Sequence, residues 1–196
     1  MTYEQMTKKL MGMLSQKKYE HCIAVKDSAV KLAFIHGADA EKASIAGLLH
    51  DCAKCMTEQE LLKKAEEFGI LLDDVSKREA GILHAAIGAE IAEREFEVTD
   101  TDILNAIKSH TTGKENMNLL DKIIYIADYI SEDRNFKGIK DLRKVAQEDL
   151  NAGVLMGMDF TIGHVISKGR LIHIETIKAR NALIIENPGI SYESII

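Results

Sequence analysis

The chain has 196 residues, of which 46% are hydrophobic and 29% charged, a balance that excludes a disordered chain and suits one soluble domain able to bury a core. Lys and Arg total 25 against 31 Asp and Glu, and this net charge of -6 argues against direct nucleic-acid binding, which draws its affinity from many basic contacts to phosphates. No apolar run approaches membrane-spanning length, Met1 to Leu14 is broken by Glu4, Lys8 and Lys9, and the odd cysteine count opposes a disulfide framework, so a cytoplasmic protein is expected.

The chain has a single proline, Pro188, and apolar residues recur at three- and four-residue intervals almost throughout, which predicts an all-α fold. An amphipathic helix is expected over Tyr3 to Ser15. A second, from Tyr19 to Ile35, places His21, Val25, Ser28 and Leu32 on one face, with Gly37 as its C-terminal cap. Asp39 reads as the N-cap of a helix running through Ile45 and Leu49 to His50, and Thr57 as the cap of one ending near Phe68. Further helical patterns cover Lys77 to Glu95, Asp100 to His110, Met117 to Ile130, Ile139 to Leu150, Ala152 to Ser167 and Ile174 to Glu186. Ser131 to Gly138 reads as a charged loop. We read one domain over residues 1–196, with a metal-ligand core at about 19–131 and C-terminal helices at about 139–187.

His21, His50 with Asp51, His84, His110 and Asp128 recur in similar settings, near helix ends or on helix faces with small or apolar neighbours. Taken singly, each histidine could be a satisfied core residue, and Asp128 in the apolar run from Ile123 to Ile130 needs only some partner if it is buried. Taken in order across separate helices they form a set of imidazoles and carboxylates without thiolates. Such a set suits a catalytic Fe, Mn, Zn or Co centre better than a structural zinc knot. Six ligands exceed what one metal that keeps open positions needs. Two divalent metals about 3.5 to 4 Å apart, bridged by Asp51 and activating a hydroxide between them, resolve the excess. His36 reads as a helix-end residue, and His164 as a structural one. The Cys52 and Cys55 spacing lacks a second cysteine pair and reads as packing.

The strings HDCAK (His50 to Lys54), HTTG (His110 to Gly113), KIIYIADYISEDR (Lys122 to Arg134) and IHIETIKARN (Ile172 to Asn181) resemble the HD superfamily of metal phosphohydrolases. The closer resemblance is to its YqeK family of symmetrical diadenosine tetraphosphate hydrolases. That resemblance covers nearly the whole chain. It implies an all-helical HD bundle with additional C-terminal helices, and a two-metal centre, iron first with Mn, Co or Zn as alternatives, held by His21, His50, Asp51, His84, His110 and Asp128. It also implies cleavage of diadenosine tetraphosphate to two ADP by a metal-bound hydroxide. Other HD nucleotidases, cyclic-nucleotide phosphodiesterases and a non-catalytic nucleotide sensor are the competing readings. Prolines expected in the ADYISEDR and IHIET strings are absent, Ile174 standing in the second, which bears on loop stiffness rather than on ligands.

Lys54, four residues after His50, is placed to reach a phosphate oxygen, so Asp51 and Lys54 are the expected catalytic pair. Thr111, Thr112 and Gly113 could hold phosphate through hydroxyls and backbone N–H groups, or could simply form a turn. Arg134 is expected on phosphate, with an ion pair to Glu132 or Asp133 as the competing reading. His173, Thr176, Arg180 and Asn181 form a polar stripe that would line the nucleotide pocket or face solvent. The expected partner is a dinucleoside polyphosphate. The choice between monomer and homodimer is left open.

Overall fold

The computed structural model describes residues 1–193, so the last three residues of the expected 1–196 domain lie outside the described residues. The described residues form α-helices and no strands, as the single proline and the helical periodicity predict. In chain order the helices are α1 (Tyr3–Met13), α2 (Gln16–His36), α3 (Ala40–Leu49), α4 (Glu58–Glu67), α5 (Asp74–Arg78), α6 (His84–Phe96), α7 (Thr101–Ser109), α8 (Leu119–Ile130), α9 (Ile139–Glu148), α10 (Leu150–Ser167) and α11 (Ile174–Glu186).

Helix ends are set by local chemistry. Thr2, Thr57 and Asn118 form reciprocal capping boxes with Gln5, Glu60 and Asp121, while Asp39, Asp100 and Asp149 accept backbone N–H groups at the starts of α3, α7 and α10. Gly37 ends α2 in the left-handed conformation at φ 74°.

The continuous helix expected from Lys77 to Glu95 is not formed. Asp73 caps the short α5, the backbone breaks at Glu79, and a 3-10 turn over Ala80–Leu83 leads into α6. At the break the Glu79 carboxylate pairs with Arg170 from the segment before α11. The break makes His84 the first residue of a new helix.

α8 is the central element. Ile123, Ile124, Tyr125, Ile126 and Ala127 are fully buried, and α2, α3, α7, α9 and α10 all pack around it. The closest pairing is α2 with α3, and Gly47 permits it: a Cβ there would lie 2.8 Å from the Lys26 Cα, against backbone that cannot yield locally. This approach brings His21 of α2 against His50 at the end of α3, with ring centroids 5.4 Å apart. α10 lies against α8 and α9, and α11 packs on α10, so the C-terminal helices stand beside the end of α8 that carries Asp128.

Replacing Gly47 with Ala is therefore expected to destabilise the protein by about 1–3 kcal/mol, the usual cost of overpacking. Gly12→Ala, on α1 with open space where its Cβ would sit, is expected to stabilise by up to about 1 kcal/mol. Urea unfolding of the two variants checks both signs.

Candidate metal centre

His50 and His110 occupy the C-caps of α3 and α7, and His84 opens α6. At each, the ring turns back on the chain, so that Nδ1 donates to the carbonyl three residues upstream. The acceptors are Gly47 O at 2.8 Å from His50, Gly81 O from His84, and Ile107 O at 2.7 Å from His110. A carbonyl can only accept, so the proton sits on Nδ1 and each Nε2 carries a free lone pair. The 3-10 turn before α6 is what supplies the Gly81 carbonyl.

These lone pairs converge. His84 Nε2 lies 3.1 Å from His110 Nε2 and 3.0 Å from Asp51 Oδ1, and His110 Nε2 lies 3.5 Å from the same oxygen. His50 Nε2 stands 3.6 Å from Asp51 Oδ2, and neither His50 Nε2 nor Asp51 Oδ1 has a hydrogen-bond partner, although both are buried. Facing acceptors in a dry interior repel one another, and unpaired buried polar atoms cost free energy, so the arrangement calls for a cation.

The second half of the cluster is built from α2 and α8. His21 Nε2 lies 2.9 Å from Asp128 Oδ1, and its Nδ1 lies 2.8 Å from Asp133 Oδ2. The four rings form one chain, with His50 and His110 centroids 4.9 Å apart and His84 and His110 centroids 5.0 Å apart. Three ligand groups, each with its atoms within 4.8 Å of one another, share members: His21, His50 and Asp51; His50, His110 and Asp128; Asp51, His84 and His110.

The chain's own cations lean into both halves. Lys54 Nζ is 2.9 Å from His84 Nε2 and 3.4 Å from Asp51 Oδ1. Arg134 donates to the Asp128 carboxylate and backbone carbonyl, rather than pairing with Glu132 or Asp133 as the competing reading had it. Burial pushes the His50 imidazole down to about 4, so it is neutral at pH 7 and able to ligate. Burial would raise the carboxyls of Asp51 and Asp128. The positive groups beside them, Lys54 on Asp51 and His21 with Arg134 on Asp128, oppose it, and both carboxyls are held well below the ordinary carboxylate range. Neutral imidazoles with ionised carboxylates are the donor set a borderline divalent ion takes, and the buried orphan atoms fit one.

One cavity opens onto this cluster and a second adjoins it. The larger, about 650 Å³, is lined by Lys54, His110, Thr111, Asp128 and Arg134 together with Tyr129, Phe136, Phe160, Thr161 and His164 among others. The smaller, about 150 Å³, shares Thr111, Thr161 and His164 with it and is also lined by Thr112, Arg170, His173 and Thr176. Thr111 Oγ1 lies 3.2 Å from His110 Nε2, at the junction.

The remaining expected contacts divide. The Thr112 hydroxyl donates to Gly113 O, and the Gly113 N–H is taken by Ser109 O at 2.8 Å, so Gly113 has no N–H free for phosphate. Its φ of 69° and the close approach of Ala179 and Met158 explain the glycine instead. The polar stripe on α11 does not act as one surface. His173 caps the helix and lies 3.0 Å from Asp73, Thr176 is buried, Arg180 pairs with Asp159, and Asn181 is exposed and lines neither cavity. Two residues read as unremarkable in the sequence belong to the site: His164 lines both cavities, and Asp133 holds His21. Cys52 is buried on Gly88 O and Cys55 is exposed, both free, consistent with packing.

Residues 19–133 match the HD domain family, a span that opens just before His21 and closes just after Asp128. The chain belongs to the HD domain family. It is 36% identical to the symmetrical bis(5'-nucleosyl)-tetraphosphatase of Halalkalibacterium halodurans over 88% of this chain and 92% of that one. To the protein of the same description from Bacillus subtilis it is 36% identical, over 87% and 91%. A crystal structure from Clostridium acetobutylicum, described as a predicted HD superfamily hydrolase involved in NAD metabolism, superposes with a TM-score of 0.93 at 47% identity, covering 95% of this chain and 99% of that one. The all-helical HD fold and the kinship to these phosphohydrolases agree with the resemblance carried by the sequence strings.

The 131–134 loop that carries Asp133 and Arg134 lacks the expected proline and is gripped from α9. Arg143 donates to the carbonyls of Ile130, Ser131 and Arg134 at 2.9, 2.7 and 3.1 Å. Arg143→Met is expected to cost roughly 1–3 kcal/mol in urea unfolding, through the carbonyls it leaves unpaired. It is also expected to speed amide exchange selectively in residues 131–134.

Proposed function

We propose that this chain is a metal-dependent hydrolase that cleaves dinucleoside tetraphosphates symmetrically, diadenosine tetraphosphate yielding two ADP. The observation that carries the reading is the buried convergence of His50, His84 and His110 Nε2 with Asp51, opening onto a cavity whose near wall holds Lys54 and Arg134. The whole-length kinship to symmetrical tetraphosphatases supplies the substrate class.

In this reading His21, His50, Asp51, His84, His110 and Asp128 hold two divalent ions, iron before Mn, Co or Zn. Asp51, which belongs to two of the three ligand groups, is the bridge. Bound there, such ions supply Lewis acidity toward phosphoryl oxygens and acidify water. The protein does the rest. The three carbonyls hold a proton on each Nδ1 and so turn each Nε2 toward the ions. Lys54 and Arg134 turn from Asp51 and Asp128 to nonbridging phosphate oxygens and neutralise them, and together with the bound cations they make one cleft locally positive in a chain of net charge -6. The Thr111 hydroxyl adds a donor at the mouth. Water adds to an inner phosphorus, the bond to the bridging oxygen breaks, and each half leaves as a nucleoside diphosphate.

Because residues of the 19–131 core and of α10 face each other across the same cavity, the chain acts as one catalytic domain. No helix among the described residues is long and apolar enough to cross a membrane, and the reading places the enzyme in the cytoplasm.

Metal-loaded protein incubated with diadenosine tetraphosphate is expected to release ADP alone, with two metal equivalents per chain. ATP plus AMP would defeat the symmetrical assignment. Preferred turnover of NAD, a mononucleotide or a cyclic nucleotide in the same assay would move the substrate elsewhere. Asp51→Asn is expected to abolish turnover and lower bound metal while the helical circular dichroism persists. Full activity with a normal metal content would remove Asp51 from the bridge.

A further inference from the structure

Part of the lining of the larger cavity is aromatic. Tyr129 lies at the end of α8, Phe136 in the loop before α9 and Phe160 in α10, and all three are only partly buried where they line the cavity. Phe136 and Phe160 meet edge to face, with centroids 5.9 Å apart and planes at 84°, and Tyr129 meets Phe136 at 6.5 Å and 87°. Successive perpendicular rings make corners, each offering the face of one ring beside the edge of the next.

The wall is also fixed in place. The Tyr129 hydroxyl is bonded to Thr161 Oγ1, which itself donates to Gly157 O at 2.9 Å. The Phe160 ring sits over Gly138, where a Cβ would come within 3.1 Å of Cζ, so the glycine that takes the positive φ of 92° also leaves room for the ring by lacking a side chain. Asp159, beside Phe160, is held by Arg180 and by the Tyr192 hydroxyl. Aromatic residues kept only for the core would be covered. These face a space that runs without interruption to His110, Asp128, Lys54 and Arg134.

We infer that the Tyr129, Phe136 and Phe160 wall is the nucleobase subsite, where one base of the substrate stacks while its phosphates reach the cationic end of the same cavity. The cavity of about 650 Å³ is of the size that encloses a nucleotide-sized ligand. Stacking accepts any base, because each has a π face, so the wall confers affinity for a nucleoside without strict selection among bases. This inference rests on the nucleotide reading of the site.

The test compares binding of ADP and of inorganic pyrophosphate to the metal-loaded protein by calorimetry, in wild type and in Phe160→Leu and Phe160→Tyr. Leucine keeps apolar bulk and removes the π face. Wild type is expected to bind ADP more tightly than pyrophosphate. Phe160→Leu is expected to weaken ADP by about ten-fold while leaving pyrophosphate within about two-fold, and Phe160→Tyr to restore ADP. In turnover of diadenosine tetraphosphate the leucine variant raises KM with kcat held, as for a contact made equally in ground and transition states. Equal affinity of wild type for ADP and pyrophosphate, or a leucine variant that weakens both in proportion, overturns the inference. A Phe160-dependent preference for ADP in a protein that cleaves nothing would uphold the subsite and remove the proposed reaction. Cleavage to ADP that is indifferent to Phe160→Leu would do the reverse.

Discussion

Three backbone carbonyls, each three residues upstream of a histidine, take the Nδ1 protons of His50, His84 and His110, and the rest of the site depends on where that leaves the opposite nitrogen. With Nδ1–H committed to the chain, each Nε2 is turned inward, and packing brings those of His84 and His110 to 3.1 Å from each other and all three to 3.0–3.6 Å from the Asp51 carboxylate. Apolar packing drives the assembly, but it leaves an electrostatic debt at its centre that a bound cation offsets. Lys54 and Arg134 offset part of it from within the chain.

The carbonyl device explains why the ligands sit where they do. A residue at a helix C-cap, or just past a 3-10 turn, has a carbonyl three positions back within reach of its ring and with a lone pair to spare, so the ring finds its acceptor without distorting the helix. His50, His84 and His110 are all at such places. His21 and Asp128 lie within helices instead, and these are α2 and α8, the long helix and the central one, whose packing is least free to move. His21 then takes its Nδ1 partner from Asp133 in a loop, and Arg143 fixes that loop. The absent proline in the 131–134 segment is thereby compensated by hydrogen bonds from α9.

Much of this was legible in the sequence. The helical class followed from one proline and three- and four-residue periodicity, and caps such as Asp39, Thr57 and Gly37 announced themselves by residue type. The six candidate ligands were legible as an ordered series because each imidazole or carboxylate was out of place among apolar neighbours, and the structure brings all six into one cluster. Where tertiary contacts decided, the pattern was silent. The break at Glu79 hides in an apolar periodicity that runs on through it, and the contact made there is with Arg170, 91 residues away. Asp133 looks like one more solvated charge, and His164 like one more helix-face histidine, until the fold supplies His21 and the two cavities. The α11 stripe divides in the fold: helical spacing put His173, Thr176 and Arg180 on related faces, but His173 lies against Asp73, Arg180 pairs with Asp159, and Thr176 is buried beside the smaller cavity.

The chain presets three imidazoles with Nδ1–H turned to the backbone and Nε2 facing the cluster before any metal arrives. Nitrogen-15 NMR of the imidazoles in metal-free protein at neutral pH reads protonation and tautomer at each ring directly. The account predicts a proton on Nδ1 in all three rings, with His50 and His84, which burial lowers, neutral. A ring bare at Nδ1 with its proton on Nε2, or imidazolium at His50 or His84, would contradict it.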